Sequence, residues 1–255
     1  MLLDWVHERT IWVGLTIVCA LFAVPAVIGS YLLQPSVARL FRREKDVNSV
    51  LGFVLNAHAV YFGVLLALLS ISVFENHNRA QDALDREAAS LVRLVRDLRA
   101  YPEPLRAELF ERLRAYVEDE IGPGWTDQRR GHASAREVEL INNLHRKLTS
   151  YEPIKQSEAL IHAQALQTLS AFFEDRRLRI AQGAARVPRI LWIVVLFGAV
   201  VNIALLWAFD MARGSHAIVS GTLALFIGAI IYMIAILDEP YRGRYGLKPQ
   251  AMMEA

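Results

Sequence analysis

Cysteine is almost absent from this chain: Cys19 stands alone inside an apolar stretch, so neither an intrachain disulfide nor a cysteine-rich zinc site is possible. It reads as a small packing residue. Net charge is equally scarce. At +2 there is no basic excess to hold a nucleic acid, and the middle arginines are interleaved with Asp and Glu, so nucleic acid is set aside as a partner. No phosphate-cradling glycine loop, zinc-spaced histidine pair or nucleophile elbow occurs, so no enzyme, catalytic residue, cofactor or metal is expected. His77, His132, His145, His162 and His216 lack ligand spacing. Strand-like alternation and internal repeats are missing too, which leaves an all-α fold.

What the chain does have is four long apolar stretches, 11–33, 50–74, 187–209 and 216–237, each close to the roughly 20 residues that cross a bilayer core as a helix. Apart from Arg189 they carry Asp, Glu, Lys or Arg only at their ends. With 54% hydrophobic and 21% charged residues and a mean hydropathy of +0.28, the chain is too apolar to be soluble throughout and too charged to be all membrane. The segment before the first stretch sets Asp4 and Glu8 against His7 and Arg9, which is no basic leader, so that stretch is read as a retained span.

Between the second and third spans the pattern is helical. Leu84, Ala88, Leu91, Leu94, Val95 and Leu98 recur at helical spacing among charges. Pro102 and Pro104 break that helix, and a second is expected over 104–121 with Leu105, Leu109, Leu113, Tyr116, Val117 and Ile121 inward. Gly122-Pro123-Gly124 should stop it, with a polar loop beyond through Arg129, Arg130 and Gly131. Ser134 and Glu137 form a capping box for a third helix, with Val138, Ile141, Leu144 and Leu148 inward. A fourth follows Pro153, uses Leu160, Ile161, Leu166, Leu169, Phe173 and Ile180, and should run uninterrupted into the third span. The second span should likewise continue outward as one helix. Asp119, Glu120, Glu174 and Asp175 read as solvated faces.

Charge gives a divided answer on sidedness. Arg39, Arg42, Arg43 and Lys45 crowd the short loop after the first span, against Arg9 before it, which points to an external bundle. Counted over both sides, Arg9, Arg79, Arg86, Arg176, Arg177, Arg179, Arg186, Arg189, Arg242, Arg244 and Lys248 outnumber the loop four plus Arg213, which favours a cytoplasmic bundle. The second count is preferred.

The second span has a feature that anchoring does not need. Gly52, Asn56, Ala59, Gly63, Ala67 and Ser70 fall at steps of three and four and share one face. Small side chains there allow close helix packing, or alternatively line a pore in which Asn56 offers donors and acceptors to an ion. Both readings stay open. His58, on another face, is a gate candidate or a hydrogen-bonded link to a neighbouring helix, and Asn202 of the third span reads as interhelical glue. The fourth span repeats the small-residue theme with Gly221, Ala224, Gly228, Tyr232 and Ala235. Asp238 and Glu239 at its end are either a helix stop with interfacial salt bridges or an acidic ring at a pore mouth. Trp12, Trp192, Trp207, Tyr31 and Tyr241 sit near span ends as interfacial anchors.

An apolar span closing on Leu237-Asp238-Glu239-Pro240-Tyr241-Arg242-Gly243 resembles the fourth span of the bacterial bestrophin-like family, a membrane domain of unknown function. Residues 52–69, Glu87 to Leu91 with 101–120, and 176–192 are similar to that family and in its order. One departure is the end of the first soluble helix, where the family has an acidic residue, Glu, Trp and Pro and this chain has Asp119, Glu120, Ile121 and then Gly122-Pro123-Gly124-Trp125. The resemblance implies kinship with pentameric anion channels.

The expected architecture is therefore two transmembrane hairpins, 1–74 and 187–241, with a soluble helical bundle over 75–186 and a tail over 242–255. Four spans make too few walls for a conduction path within one subunit. A homo-oligomeric ion channel of the bacterial inner (plasma) membrane is expected, its partners being lipid, further copies of itself and an inorganic ion. The alternative is a membrane-anchored sensor or scaffold whose bundle binds a ligand or partner without conduction.

Overall fold

The structure is a computed structural model describing residues 10–33, 36, 46–129, 135–243 and 246–253. Arg9, Arg39, Arg42, Arg43, Lys45, Arg130, Gly131, His132, Ser134 and Arg244, used above for sidedness, ligand spacing, the polar loop and capping, lie outside those residues. Among the described residues there are helices and no strand. We label them α1 (Ile11–Leu32), α2 (Val47–Leu98), α3 (Leu105–Asp119), α4 (Trp125–Arg129), α5 (Ala135–Thr149), α6 (Gln156–Ala184), α7 (Arg189–Trp207), α8 (Arg213–Leu237) and α9 (Gln250–Met253). Four apolar segments, in α1, α2, α7 and α8, are long and apolar enough to cross a membrane. In such segments only a helix satisfies every backbone polar group without water.

The chain divides into two compact units. The first comprises residues Met1–Glu75 and Arg186–Asp238. In it α1 lies against α8 through small residues: a Cβ on Gly228 would stand 3.1 Å from the Cys19 Cα and 3.3 Å from the Val18 carbonyl oxygen. The Tyr232 hydroxyl donates to the Ile11 carbonyl at 2.9 Å and covers Gly14, where a Cβ would collide with its ring. Trp207 sits over Gly29 in the same way and donates to the Ala26 carbonyl at 3.0 Å, so it pins α1 against the end of α7. The apolar part of α2 packs through Phe62, Leu66, Leu69 and Val73 against Val195 and Ala199 of α7 and Ile227, Ile231 and Ile234 of α8. Asn48 closes the start of α2 by exchanging hydrogen bonds of 3.0 and 2.9 Å with the Asp210 backbone.

The second unit comprises residues Asn76–Ala185 and Glu239–Ala255. Leu91, Leu94 and Leu98 of α2 meet Leu109, Leu113 and Tyr116 of α3, Ile141, Leu144 and Leu148 of α5, and Ala165, Leu169 and Phe172 of α6. Two inward faces differ from the sequence reading. Val138 is exposed while Glu137 is buried, and on α6 Leu160 and Ile161 are exposed while Ala165, Thr168 and Phe172 face in. On α5 the buried charge of Glu137, described below, takes the inward phase.

Helix α6 also fails to continue into α7. Ala185 is extended (ψ 130°), and Val187 precedes Pro188, whose ring excludes the α region for the residue before it. The first break behaves differently too. Gly122 leaves helical geometry (φ −109°, ψ −107°), yet the chain resumes as α4 within a π-type turn over Glu120–Gly124. The expected stop is thus a kink, and it delivers Trp125 to the interior.

Candidate functional site

The apolar stretch of α2 has a packed side and a bare side. On the packed side Phe62 fills the place a Gly198 side chain would occupy, 2.6 Å from the position of its Cβ. His58, half-buried and parallel to the Phe62 ring, donates through Nε2 to the Gly198 carbonyl at 3.3 Å. Asn202 donates to that same carbonyl at 3.2 Å from within its own helix. His58 thus has the interhelical partner weighed for it, and Asn202 is buried on α7 instead of reaching across to another helix.

The bare side is the small-residue face. Asn56, Ala59, Gly63 and Ala67 are exposed, and Gly52 and Ser70 half-buried. A Cβ built on Gly52 or Gly63 meets nothing within 4 Å. The Ser70 hydroxyl turns back to the Leu66 carbonyl at 2.7 Å, hiding its polarity in its own helix. Ala59, Gly63, Ala67 and Ser70 line an open apolar cleft of about 360 Å³ together with Phe62 and Leu66 of the same helix, Asn202 of α7, and Phe226 and Ile230 of α8. Large apolar residues stand exposed elsewhere around the same helix, among them Phe53 (78% exposed) and Tyr61 (77%). Among the described residues nothing stands within 4 Å of a side chain at Gly52 or Gly63 on this face of α2.

The two acids at the end of α8 have separate duties. Asp238 accepts the Val187 N–H at 2.7 Å and the Trp192 indole N–H at 3.4 Å. That N–H lies in the extended break between α6 and α7, so the carboxylate satisfies a backbone donor that neither helix pairs. Glu239 belongs to the second unit and pairs with Arg242 at 3.0 Å. Tyr241, read above as an interfacial anchor, is buried there: its hydroxyl donates to the Ala80 carbonyl at 3.1 Å and its ring meets Trp125 edge-on.

The second unit also holds a charged centre. Arg179 has no exposed surface; it donates to Glu87, Glu120 and Gln128, and lies over the Trp125 ring 5.4 Å from its centroid. Arg176 pairs with buried Glu137 at 2.6 Å, and the Tyr116 hydroxyl donates to Glu120 at 3.1 Å. Asp119 and Glu120 are therefore interior groups rather than a solvated face, and Arg176 and Arg179 spend their charge on internal carboxylates. Burial pushes the Glu87 carboxyl up to about 7; Arg179 opposes this and Glu120 adds to it. Burial, then Glu120, raises Glu137 to about 7 against the pull of Arg176. The signal was present in the sequence: Glu87 falls in phase with Leu84 and Leu91, and Arg179 in phase with Leu169 and Phe172, so each charge sits in an apolar stripe.

The model of the bestrophin-like domain matches residues 20–252. No curated protein and no solved structure matches this chain.

Proposed function

The chain belongs to the bestrophin-like family, and with four segments able to cross a membrane it is a multi-pass membrane protein; from this premise we propose that it is a homo-oligomeric ion channel whose pore is lined by α2. The single observation that carries this reading is the small-residue face of α2, Gly52 to Ser70, where Asn56, Ala59, Gly63 and Ala67 stay exposed beside the row of Phe62, Leu66, Leu69 and Val73 that packs on α7 and α8. Copies arranged about an axis turn those faces inward, where narrow side chains leave a passage and Asn56 offers both a carbonyl oxygen and amide N–H groups to an ion. Phe62 and His58, locked on Gly198, hold the lining helix at a fixed rotation. In the proposed arrangement the spans form two hairpins, the bundle between them lies on the cytoplasmic side of a bacterial inner membrane, and Asp238 and Glu239 stand at the pore mouth.

Purified protein in a planar bilayer should carry current, and Asn56→Leu should change its ion selectivity. Silence across voltage, pH and lipid composition would overturn the reading. A second reading draws on α2 itself, which runs unbroken for 52 residues from the uncovered stripe to the charged centre at Glu87. Such a rod suits a membrane-anchored sensor or scaffold whose bundle binds a ligand or partner. An assembled particle closed along its axis, with the α2 stripes pressed on neighbouring backbones, favours that alternative.

A further inference from the structure

Between α3 and α5 lies an open pocket of about 360 Å³, lined by Glu108, Glu111, Arg112, Ala115, Leu140 and Asn143. Arg112 is half-buried there, and its Nε–H is buried with no hydrogen-bond acceptor among the described residues. Its neighbours explain why. Glu108 stands one turn before it and is spaced to pair with it, but Lys147 of α5 takes that carboxylate from across the pocket at 2.6 Å. The Lys147 hydrogen bond and charge hold the Glu108 carboxyl below its usual range, with Arg112 the smallest contributor. Glu111 adjoins Arg112 in sequence, and side chains one position apart on a helix do not face each other. It is exposed and makes no ion pair among the described residues. One acid and one base are thus left without an ion pair on the same side of α3, beside the apolar side chains of Ala115 and Leu140. From this geometry we infer that the pocket is a binding site for a small zwitterion of the amino-acid class, with its carboxylate on Arg112, its ammonium on Glu111 and an aliphatic side chain over Ala115 and Leu140.

Each part of such a molecule meets a group suited to it. A guanidinium is a planar fork that takes a carboxylate through two N–H groups at once, and an acceptor is what the buried Nε–H lacks. A phosphate suits the fork as well, but its further negative charge is repelled by Glu108 and Glu111, which favour an ammonium. A bare cation fares no better, because Lys147 already holds Glu108 and Arg112 adjoins Glu111. A molecule carrying both signs answers both charges. Arg146 donates to the Asn143 side-chain oxygen, which leaves the amide N–H groups of Asn143 as further donors at the rim. The pocket lies wholly within the second unit. It supplies the sensor reading with a ligand class and rests on the folded bundle, not on conduction.

The test uses the full chain in lipid nanodiscs and probes that share one skeleton: L-leucine, isocaproate, which lacks the amine, and isoamylamine, which lacks the carboxylate. By titration calorimetry L-leucine should bind, and each analogue should bind at least about tenfold more weakly, since each leaves one charge unanswered. Arg112→Gln and, separately, Glu111→Gln should each weaken L-leucine by about tenfold or more. The variants should also part company on the analogues: Arg112→Gln leaves isoamylamine unchanged, and Glu111→Gln leaves isocaproate unchanged. Neither side chain is fully buried, so both variants should melt with the wild type, and that melt certifies the fold. No heat of binding from L-leucine up to about 10 mM, isocaproate binding as tightly as L-leucine, or two variants that bind like the wild type overturns the site. The readout is binding, so silence in the bilayer recording sinks the channel and leaves this site standing.

Discussion

Two of the apolar helices carry stripes of small residues with almost the same composition, and the fold treats them in opposite ways. On α8, Gly221 and Gly228 are where α1 comes closest: a Cβ at Gly221 would sit 3.1 Å from Val27 and one at Gly228 would meet the backbone of α1. On α2, Gly52 and Gly63 face open space. Composition alone does not distinguish a packing seam from a vacant surface, because both need side chains that take up no room. What separates them is what lies against each stripe. α2 already has a full set of anchors in Phe62, Leu66, Leu69 and Val73, and its small face is left over.

The most damaging way to break the comparison is Gly228→Leu. A branched side chain has no route past the α1 backbone, so α1 and α8 must separate, at a cost of about 3 kcal/mol. The recovery of monodisperse protein and its melting temperature in detergent should both collapse. Gly63→Leu, the same chemical change on the other stripe, should leave the melting temperature within the range expected of a surface substitution, about 0.5 kcal/mol. Equal losses in the two variants would mean that the stripes are not different in kind.

Phe62→Ala sharpens the contrast from the packed side of α2. The ring fills the hollow at Gly198, and its removal leaves a cavity worth about 3 kcal/mol. Restoring volume with Phe62→Leu should recover part of that loss in the same melt. Asp238→Ala comes next. It strips the acceptor from the Val187 N–H at the break before α7, an unsatisfied group worth about 2 kcal/mol. Asp238→Asn keeps one acceptor and should lose less.

Much of this layout was legible in the sequence for a simple reason: the apolar length of a span and the 3.6-residue repeat are local signals. The four spans and the inward faces of α3 and the outer half of α2, from Leu84 to Leu98, follow from them directly. One misreading had a local signal, Pro188, which breaks the helix expected to run from α6 into α7; others involve a residue whose partner is distant in the chain. Glu137 displaced Val138 from the inward phase because Arg176, 39 positions away, was there to receive it. Asp119 and Glu120 read as solvated because Arg136 and Arg179 are invisible from α3 alone. Gly122-Pro123-Gly124 reads as a stop, yet the chain needs only one non-helical residue, Gly122, to turn Trp125 onto Arg179 and Tyr241. The candidate site is a harder case. Its residues were identifiable by spacing, but that Asn56, Ala59, Gly63 and Ala67 stay exposed among the described residues is a property of the three-dimensional packing.

The smallest effect on stability is the most informative about function. Asn56, on the small-residue face of α2, is exposed among the described residues, so Asn56→Leu should move the melting temperature by no more than about 0.5 kcal/mol allows. If that face borders a shared aqueous axis, the same variant exchanges an amide for a branched alkyl group at the narrowest chemistry the ion meets. Reversal potentials measured in mixed salts should then shift. Where the face instead rests on lipid, an added apolar side chain is at home and the reversal potential stays put. Unchanged stability with changed selectivity is the one pairing that a packing seam does not produce, since a seam loses both or neither.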